Sequence, residues 1–121
     1  MKLYPYLGFN GNCEEAINFY KEAFDGEIFQ LGRYAESRME TSEQFKDKIM
    51  DARLKFRDIL ILCSDTMGEK DADAGNMLSL SIECDNVDQL EKVFFENVRK
   101  RKSNNANSGS ILGSKIWNAY W

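Results

Sequence analysis

Few residue types in this chain are equipped for catalysis, and where they stand narrows the chemistry. None of the 121 residues is histidine. That removes imidazole proton shuttles, Ser-His-Asp and Cys-His nucleophiles, and every His-ligated metal centre. Of the three cysteines, Cys13 falls at the start of an expected helix. The positive end of a helix dipole favours a thiolate there, whereas the neighbouring Glu14 and Glu15 oppose one. Cys13 is therefore the candidate reactive thiol, with a structural thiol as the alternative. Cys63 and Cys84 lie in apolar runs and read as small core side chains. Asp65, Glu69, Asp71 and Asp73 crowd one polar stretch. They lack the glycine and glutamate spacing of a calcium loop, so a solvated linker is the plainer reading. Neither a bound metal nor a cofactor is expected.

Two short polar stripes remain. Arg53 and Lys55 share one parity of an alternating run, and Ser79, Ser81 and Glu83 share one parity of another. Residues two apart on a strand lie on one face of the sheet. Turned into a pocket, such stripes form a binding wall, with Cys63 a further candidate lining residue. Turned to water they are ordinary solvent faces, with Leu78, Leu80 and Ile82 packing inward.

The elements that must carry these residues are legible from periodicity. Leu3 to Asn10 is apolar and aromatic and reads as a strand, with Pro5 early in it or at an edge. Asn12 is placed as an N-cap, with Glu15 completing a capping box. Ala16, Phe19, Tyr20, Ala23 and Phe24 then recur at helical spacing and make one buried face. Gly26 suits the left-handed position that closes the helix. Glu27 to Tyr34 reads as a strand, and residues 35–48 as a loop or short helix. Ile49 to Phe56 alternates with period two, Arg57-Asp58 turns, and Ile59 to Cys63 is a buried strand. After a polar linker over 64–76 the pattern restarts. Met77 to Cys84 reads as a strand, Asn86 as an N-cap with Gln89 at its third position, and Val87, Leu90, Val93 and Phe94 as a helical stripe. An offset of 74 residues lays Asn12 on Asn86 and Phe19 on Val93, the signature of a repeated unit.

A tandem β-α-β-β-β layout resembles the vicinal oxygen chelate fold of the glyoxalase and bleomycin-resistance superfamily. The run from Pro5 through Gly8-Phe9-Asn10-Gly11-Asn12 to Phe19-Tyr20 is similar to the opening of its PhnB-like branch. Ile61 to Asp65 resembles its fourth strand and Ser79 to Asp85 its fifth. The resemblance spans residues 1–97. It implies an α+β fold, two β-α-β-β-β-type modules (about 1–65 and 77–97) forming a curved mixed sheet, with the second module incomplete. One face of each sheet would line a concave pocket. Members of the branch often carry a 3-demethylubiquinone-9 3-methyltransferase label, yet the chain has no glycine-rich strand–helix turn for a nucleotide-like cofactor. The superfamily's metal-ligand positions fall on Pro5, near Ile61 and on Leu78, none of which coordinates through its side chain. The function implied is a metal-free, small-molecule-binding homodimer. The alternatives are an enzyme with a non-standard site and an interaction module acting through a basic tail.

Composition sets the outer bounds. At 14.0 kDa, with 43% apolar and 30% charged residues, the chain has the makings of one globular domain. No apolar run approaches the ~18 residues of a membrane helix, and Met1 to Pro5 lacks a signal peptide's apolar stretch. An odd number of cysteines without metal spacing points to the cytoplasm. Net charge is −4, but residues 1–97 carry −9 and residues 98–121 carry +5 with no acidic side chain. Arg99-Lys100-Arg101-Lys102 opens this basic tail. Nucleic-acid binding through it is the less favoured reading against a solvated tail. A third reading is genetic. One codon set for Arg101 to Trp121, read one base later, spells GKVTMPIQDQFWGAKFGMLT, which resembles the closing segment of the PhnB-like branch. Residues 98–121 are thus expected to be out of frame.

Overall fold

The computed structural model describes residues 1–38, 40–67, 72–73, 77–78 and 80–93, and the backbone of 116–118. The chain divides into two compact units, Met1–Ala72 and Asp73–Trp121.

The first unit runs β1 (Tyr6–Phe9), α1 (Cys13–Phe24), β2 (Glu27–Arg33), a single 3-10 turn (Tyr34–Glu36), β3 (Ile49–Phe56) and β4 (Ile59–Asp65). The strands form one mixed sheet in the order β1-β4-β3-β2. β1 lies parallel to β4, and the other neighbours are antiparallel. This is the expected β-α-β-β-β module. Pro5 immediately precedes β1, an edge strand, so its missing N–H breaks no ladder bond, and its carbonyl accepts from the Leu62 N–H at 3.0 Å.

The hydrophobic stripe of α1 does what its spacing dictates. Ala16, Ile17, Phe19, Tyr20 and Ala23 are all buried, and the helix packs on β3 with β2 and β4 to either side. Ala52 and Leu54 of β3, and Ile61 and Cys63 of β4, are paired residues on the helix-facing side, and all four are buried. Phe24 stacks on Phe56 at 4.7 Å between ring centroids and closes the far end of the core. Each large apolar side chain fully buried here is worth about 1.5–3 kcal/mol.

Both ends of α1 depart from expectation. Asn12 makes no side-chain cap, so the anticipated Asn12–Glu15 box is absent. Asp25, not Gly26, takes the left-handed conformation, at φ 51° and ψ 45°. Gly26 is required for a different reason. A β-carbon there would stand 3.0 Å from both the Leu54 side chain and the Lys55 carbonyl, so a small residue lets the chain cross β3 closely. The β3–β4 hairpin is the expected two-residue turn, with Arg57 at φ 51°.

The second unit contains β5 (Leu80–Ile82) and β6 (Ile116–Asn118), which pair in parallel. Residues 87–93 are helical and are labelled α2. β5 is shorter than the Met77–Cys84 strand expected: Met77 and Leu78 precede it and are exposed, and Glu83 and Cys84 follow it. The Asn86 cap does form. The Gln89 N–H donates to Asn86 Oδ1 at 2.9 Å, and Gln89 Oε1 accepts from the Asp85 N–H at 3.0 Å. Among the described residues the unit holds β5, α2 and β6, which is less than a second full module. The Arg99–Lys102 run lies outside the described residues.

Candidate functional site

The sheet of the first unit has two unlike faces. One is covered by α1. The other, the helix-free face, carries most of the polar side chains of β2, β3 and β4. Strand register lines up one row across all four strands: Gln30 of β2 opposite Arg53 of β3, Arg53 opposite Leu62 of β4, and Leu62 beside Tyr6 of β1. A second row holds Gly32 opposite Asp51, and Gly8 beside Ser64. At the other end Lys55 lies between Glu27 and Leu60.

Two β-bulges build this arrangement. Phe29 is an extra residue in β2, between the Ile28–Leu54 and Gln30–Arg53 pairs. Without it Gln30 would share the face of Ile28 and point at the helix. The bulge reverses the parity and turns Gln30 to the side of Arg53. Met50 is the extra residue in β3, between Ile49 and Asp51. It lets Ile49 bury completely while Asp51 stays with Arg53.

Several polar groups of the face are interlocked. Gln30 Nε2 donates to Asp51 Oδ2. Tyr6 Oη donates to Ser64 Oγ at 2.8 Å. Arg53 Nε lies 3.7 Å from Asp51 Oδ2, an ion-pair distance too long for a hydrogen bond. That nitrogen is buried and has no hydrogen-bond partner among the described residues. The Arg53 side chain as a whole is 42% exposed, so the rest of its guanidinium is open to a group on this face.

Beneath the other face, the start of α1 is held by a residue from far along the chain. Asp65, the last residue of β4, is 1% exposed. Its Oδ1 accepts from the Cys13 N–H and its Oδ2 from the Ile49 N–H, both at 2.9 Å. Its carbonyl accepts from Tyr34 Oη at 2.7 Å. Asp65 thus occupies the anion-binding end of α1, the place that a cofactor's anionic group would otherwise take. Burial, then the neighbouring Tyr6 and Asp65, push the Tyr34 hydroxyl above its ordinary range. Lys48 Nζ donates to the Gly11 carbonyl at 2.8 Å, and Arg33 pairs with the Glu14 carboxylate at 2.7 and 2.9 Å. The Arg33 hydrogen bond is the main reason Glu14 sits below its usual range.

The candidate residues are thus sorted. Arg53 and Lys55 share the helix-free face. Cys63 does not join them, because β4 register turns it to the α1 side, where it is fully buried. Cys13 is fully buried as well. Its hydrogen bond with Cys63, and then burial, push the thiol well above its ordinary value. That environment opposes the thiolate a nucleophile needs. Ser81 is exposed in β5, and Glu83 is exposed beyond its end. Ser79 lies outside the described residues. Asp65 belongs to a strand rather than to an acidic linker, and Glu69 and Asp71 lie outside the described residues. Gln30, Asp51, Tyr6 and Leu62 were not singled out by sequence. Alternation within β1 or β4 could not pair Tyr6 with Leu62, which the parallel register does, and the turning of Gln30 by a bulge carried no signal either.

A family model described as 3-demethylubiquinone-9 3-methyltransferase matches residues 1–111. The chain belongs to this family. It is a PhnB-like member of the vicinal oxygen chelate superfamily, as its opening motif implied. A protein of known crystal structure from Pseudomonas aeruginosa is 30% identical, with a TM-score of 0.71 over 81% of this chain and 72% of that one. A PhnB protein from Bacillus cereus shares the fold at 24% identity, with a TM-score of 0.64 over 81% of this chain and 74% of that one. No curated protein matches.

The superfamily's metal does not fit this face. Ile61 is turned to α1, and the helix-free face carries Leu62 and Leu60 on β4 and Tyr6 on β1. Leu78 is exposed. Among the described residues no three His, Cys, Asp or Glu side chains group as a metal site requires.

Proposed function

We propose that this PhnB-like chain is a small-molecule-binding protein that works without a divalent metal, as a cytoplasmic homodimer. The observation that carries the reading is the row Gln30–Arg53–Leu62–Tyr6, which sets a guanidinium side chain, 42% exposed and without a hydrogen bond among the described residues, beside apolar and aromatic surface on one face. Such a mixture is what a ligand wall consists of: apolar area with a few oriented polar groups. Methyl transfer draws no support from the β1–α1 turn, whose single glycine is Gly11 and whose helix start is taken by Asp65. Among the described residues no helix is long and apolar enough to cross a membrane. Exposed Met1, Leu3 and Tyr4 precede the edge strand β1 and supply apolar area for a second copy.

Amide chemical-shift mapping with a library of small aromatic and aliphatic fragments tests the reading. Shifts are expected to gather on Tyr6, Arg53 and Leu62 and to vanish in Leu62→Glu. Fragment shifts that avoid this row, or none at all, would overturn it. Size-exclusion chromatography with light scattering reads the dimer.

The segment 98–121 we infer to be out of frame. Its loss of acidic residues, its Asn- and Ser-rich composition and the family-like reading one base later support this. Replacing residues 101–121 with GKVTMPIQDQFWGAKFGMLT is expected to raise the melting temperature. An unchanged or lower melt, or a genomic sequence with the present frame intact, counts against it.

A further inference from the structure

We propose, on the basis of the binding reading above, that the ligand of the helix-free face is a small organic carboxylate whose anionic head sits on Arg53 and whose apolar body lies over Leu62 and Tyr6. The placement of donors argues for the head. A guanidinium presents five N–H groups in a planar fork that matches the two oxygens of a carboxylate. Among the described residues the fork has one ion-pair neighbour, Asp51, at 3.7 Å, outside hydrogen-bond reach. Its Nε is buried and unpaired, but the side chain is 42% exposed, which leaves the outer N–H groups of the fork to meet a carboxylate.

The counter-charge does not cancel this. Asp51 Oδ2, the atom nearest Arg53, already accepts the Gln30 amide. Lys55, two residues along the same strand and exposed, adds a second positive charge on this face. Its cross-strand neighbour Glu27 makes no ion pair with it within 4.0 Å among the described residues. A cation at Arg53 meets like charge. A neutral amide meets the donors but brings no opposite charge to the guanidinium.

The apolar half follows from register. Leu62 is the immediate cross-strand neighbour of Arg53, and Tyr6 is the next residue in the row. Tyr6 remains 58% exposed, with its hydroxyl committed to Ser64. Its ring face is therefore available for stacking, which favours an aromatic or planar body. The reach from head to ring is two strand spacings, roughly 10 Å, which suits a ligand of one ring and a short arm.

Three isosteric probes test the class: phenylacetate, phenylacetamide and phenethylamine, each titrated into the full chain while amide and arginine Nε–H shifts are followed. Phenylacetate is expected to bind at the Tyr6–Leu62–Arg53 row about tenfold more tightly than phenylacetamide, the ratio expected of a charge-assisted hydrogen bond. It is also expected to move the Arg53 Nε–H resonance. Arg53→Gln should bring the two probes to parity. Arg53→Lys, which keeps the charge and loses the fork, should still favour phenylacetate but by less. Equal binding of phenylacetate and phenylacetamide at the row would overturn the carboxylate and leave the binding face standing. Preference for phenethylamine would overturn it in favour of Asp51. No shift at the row with any probe or library fragment would overturn the binding face itself. The comparison among probes needs only the native chain, so it decides the matter even where a variant fails to fold.

Discussion

The two α-helices among the described residues begin alike in sequence and differently in structure. Asn12 and Asn86 stand at equivalent places, each followed three residues later by a side chain suited to a capping box. Asn86 caps its helix through the Gln89 N–H, while the Gln89 side chain accepts from the Asp85 N–H, all within a few residues. Asn12 makes no side-chain cap, and the start of α1 is instead served by Asp65, 52 residues away from the Cys13 N–H it accepts. The difference teaches what a complete module adds. In the first unit β4 runs parallel to β1, and its last residue arrives directly under the helix start. A buried carboxylate from that strand replaces the local cap and also gathers the Ile49 N–H. In the second unit the exposed asparagine is the cap.

The comparison predicts an order of effects. Asp65→Ala should be the most damaging, at about 3–5 kcal/mol, because it strands two buried N–H donors at once and removes a charge from the α1 dipole. Urea unfolding measures this. Asn12→Ala should change little, and a loss comparable to that of Asp65→Ala would break the comparison. Phe19→Ala should cost about 3–5 kcal/mol as a core aromatic truncation, whereas its repeat counterpart, Val93→Ala, should cost less.

Alkali sharpens the contrast at the α1 start. The Cys13 thiol is held well above its ordinary value near 9.0, first by its hydrogen bond with Cys63 and then by burial. In the unfolded chain the thiol ionises as pH passes that ordinary value, while the folded chain keeps its proton. The unfolded state then binds fewer protons, so stability must fall as pH rises, by about 1.4 kcal/mol per pH unit for this group. Below about pH 8 the group should have no effect. Denaturant midpoints between pH 7 and 10 check the sign, and Cys13→Ala should flatten the alkaline slope. Asn86→Ala should cost about 1 kcal/mol, the usual worth of an exposed N-cap, and more than Asn12→Ala. Helical content at residues 87–93 reads it.

Much of the fold was legible beforehand because it rests on local periodicity. Ile49–Phe56 appears as β3 with the expected bounds, and Arg57-Asp58 is the turn. The buried face of α1 is the one its spacing named. The candidate face was only half legible. Arg53 and Lys55 follow from alternation, but Gln30 arrives through a bulge that nothing in its neighbours announces. Cys63 carried two readings, core and pocket wall, because both faces of Ile59–Cys63 are apolar in sequence; the β4 register decides for the core.

The sequence by itself determined the helical stripes, the hairpin, the opening family motif and the exclusion of imidazole chemistry. Each depends on residue type or on spacing of a few residues, which backbone geometry converts directly into structure. Only the tertiary structure decided that Asp65 is a buried cap and that Cys13 meets Cys63. It alone set Arg53 in a row with Leu62 and Tyr6. These are pairings between strands and a helix start distant in sequence. They are chosen by parallel and antiparallel register and by two single-residue bulges, and shifting the register by one residue would turn every side chain of the strand to the other face.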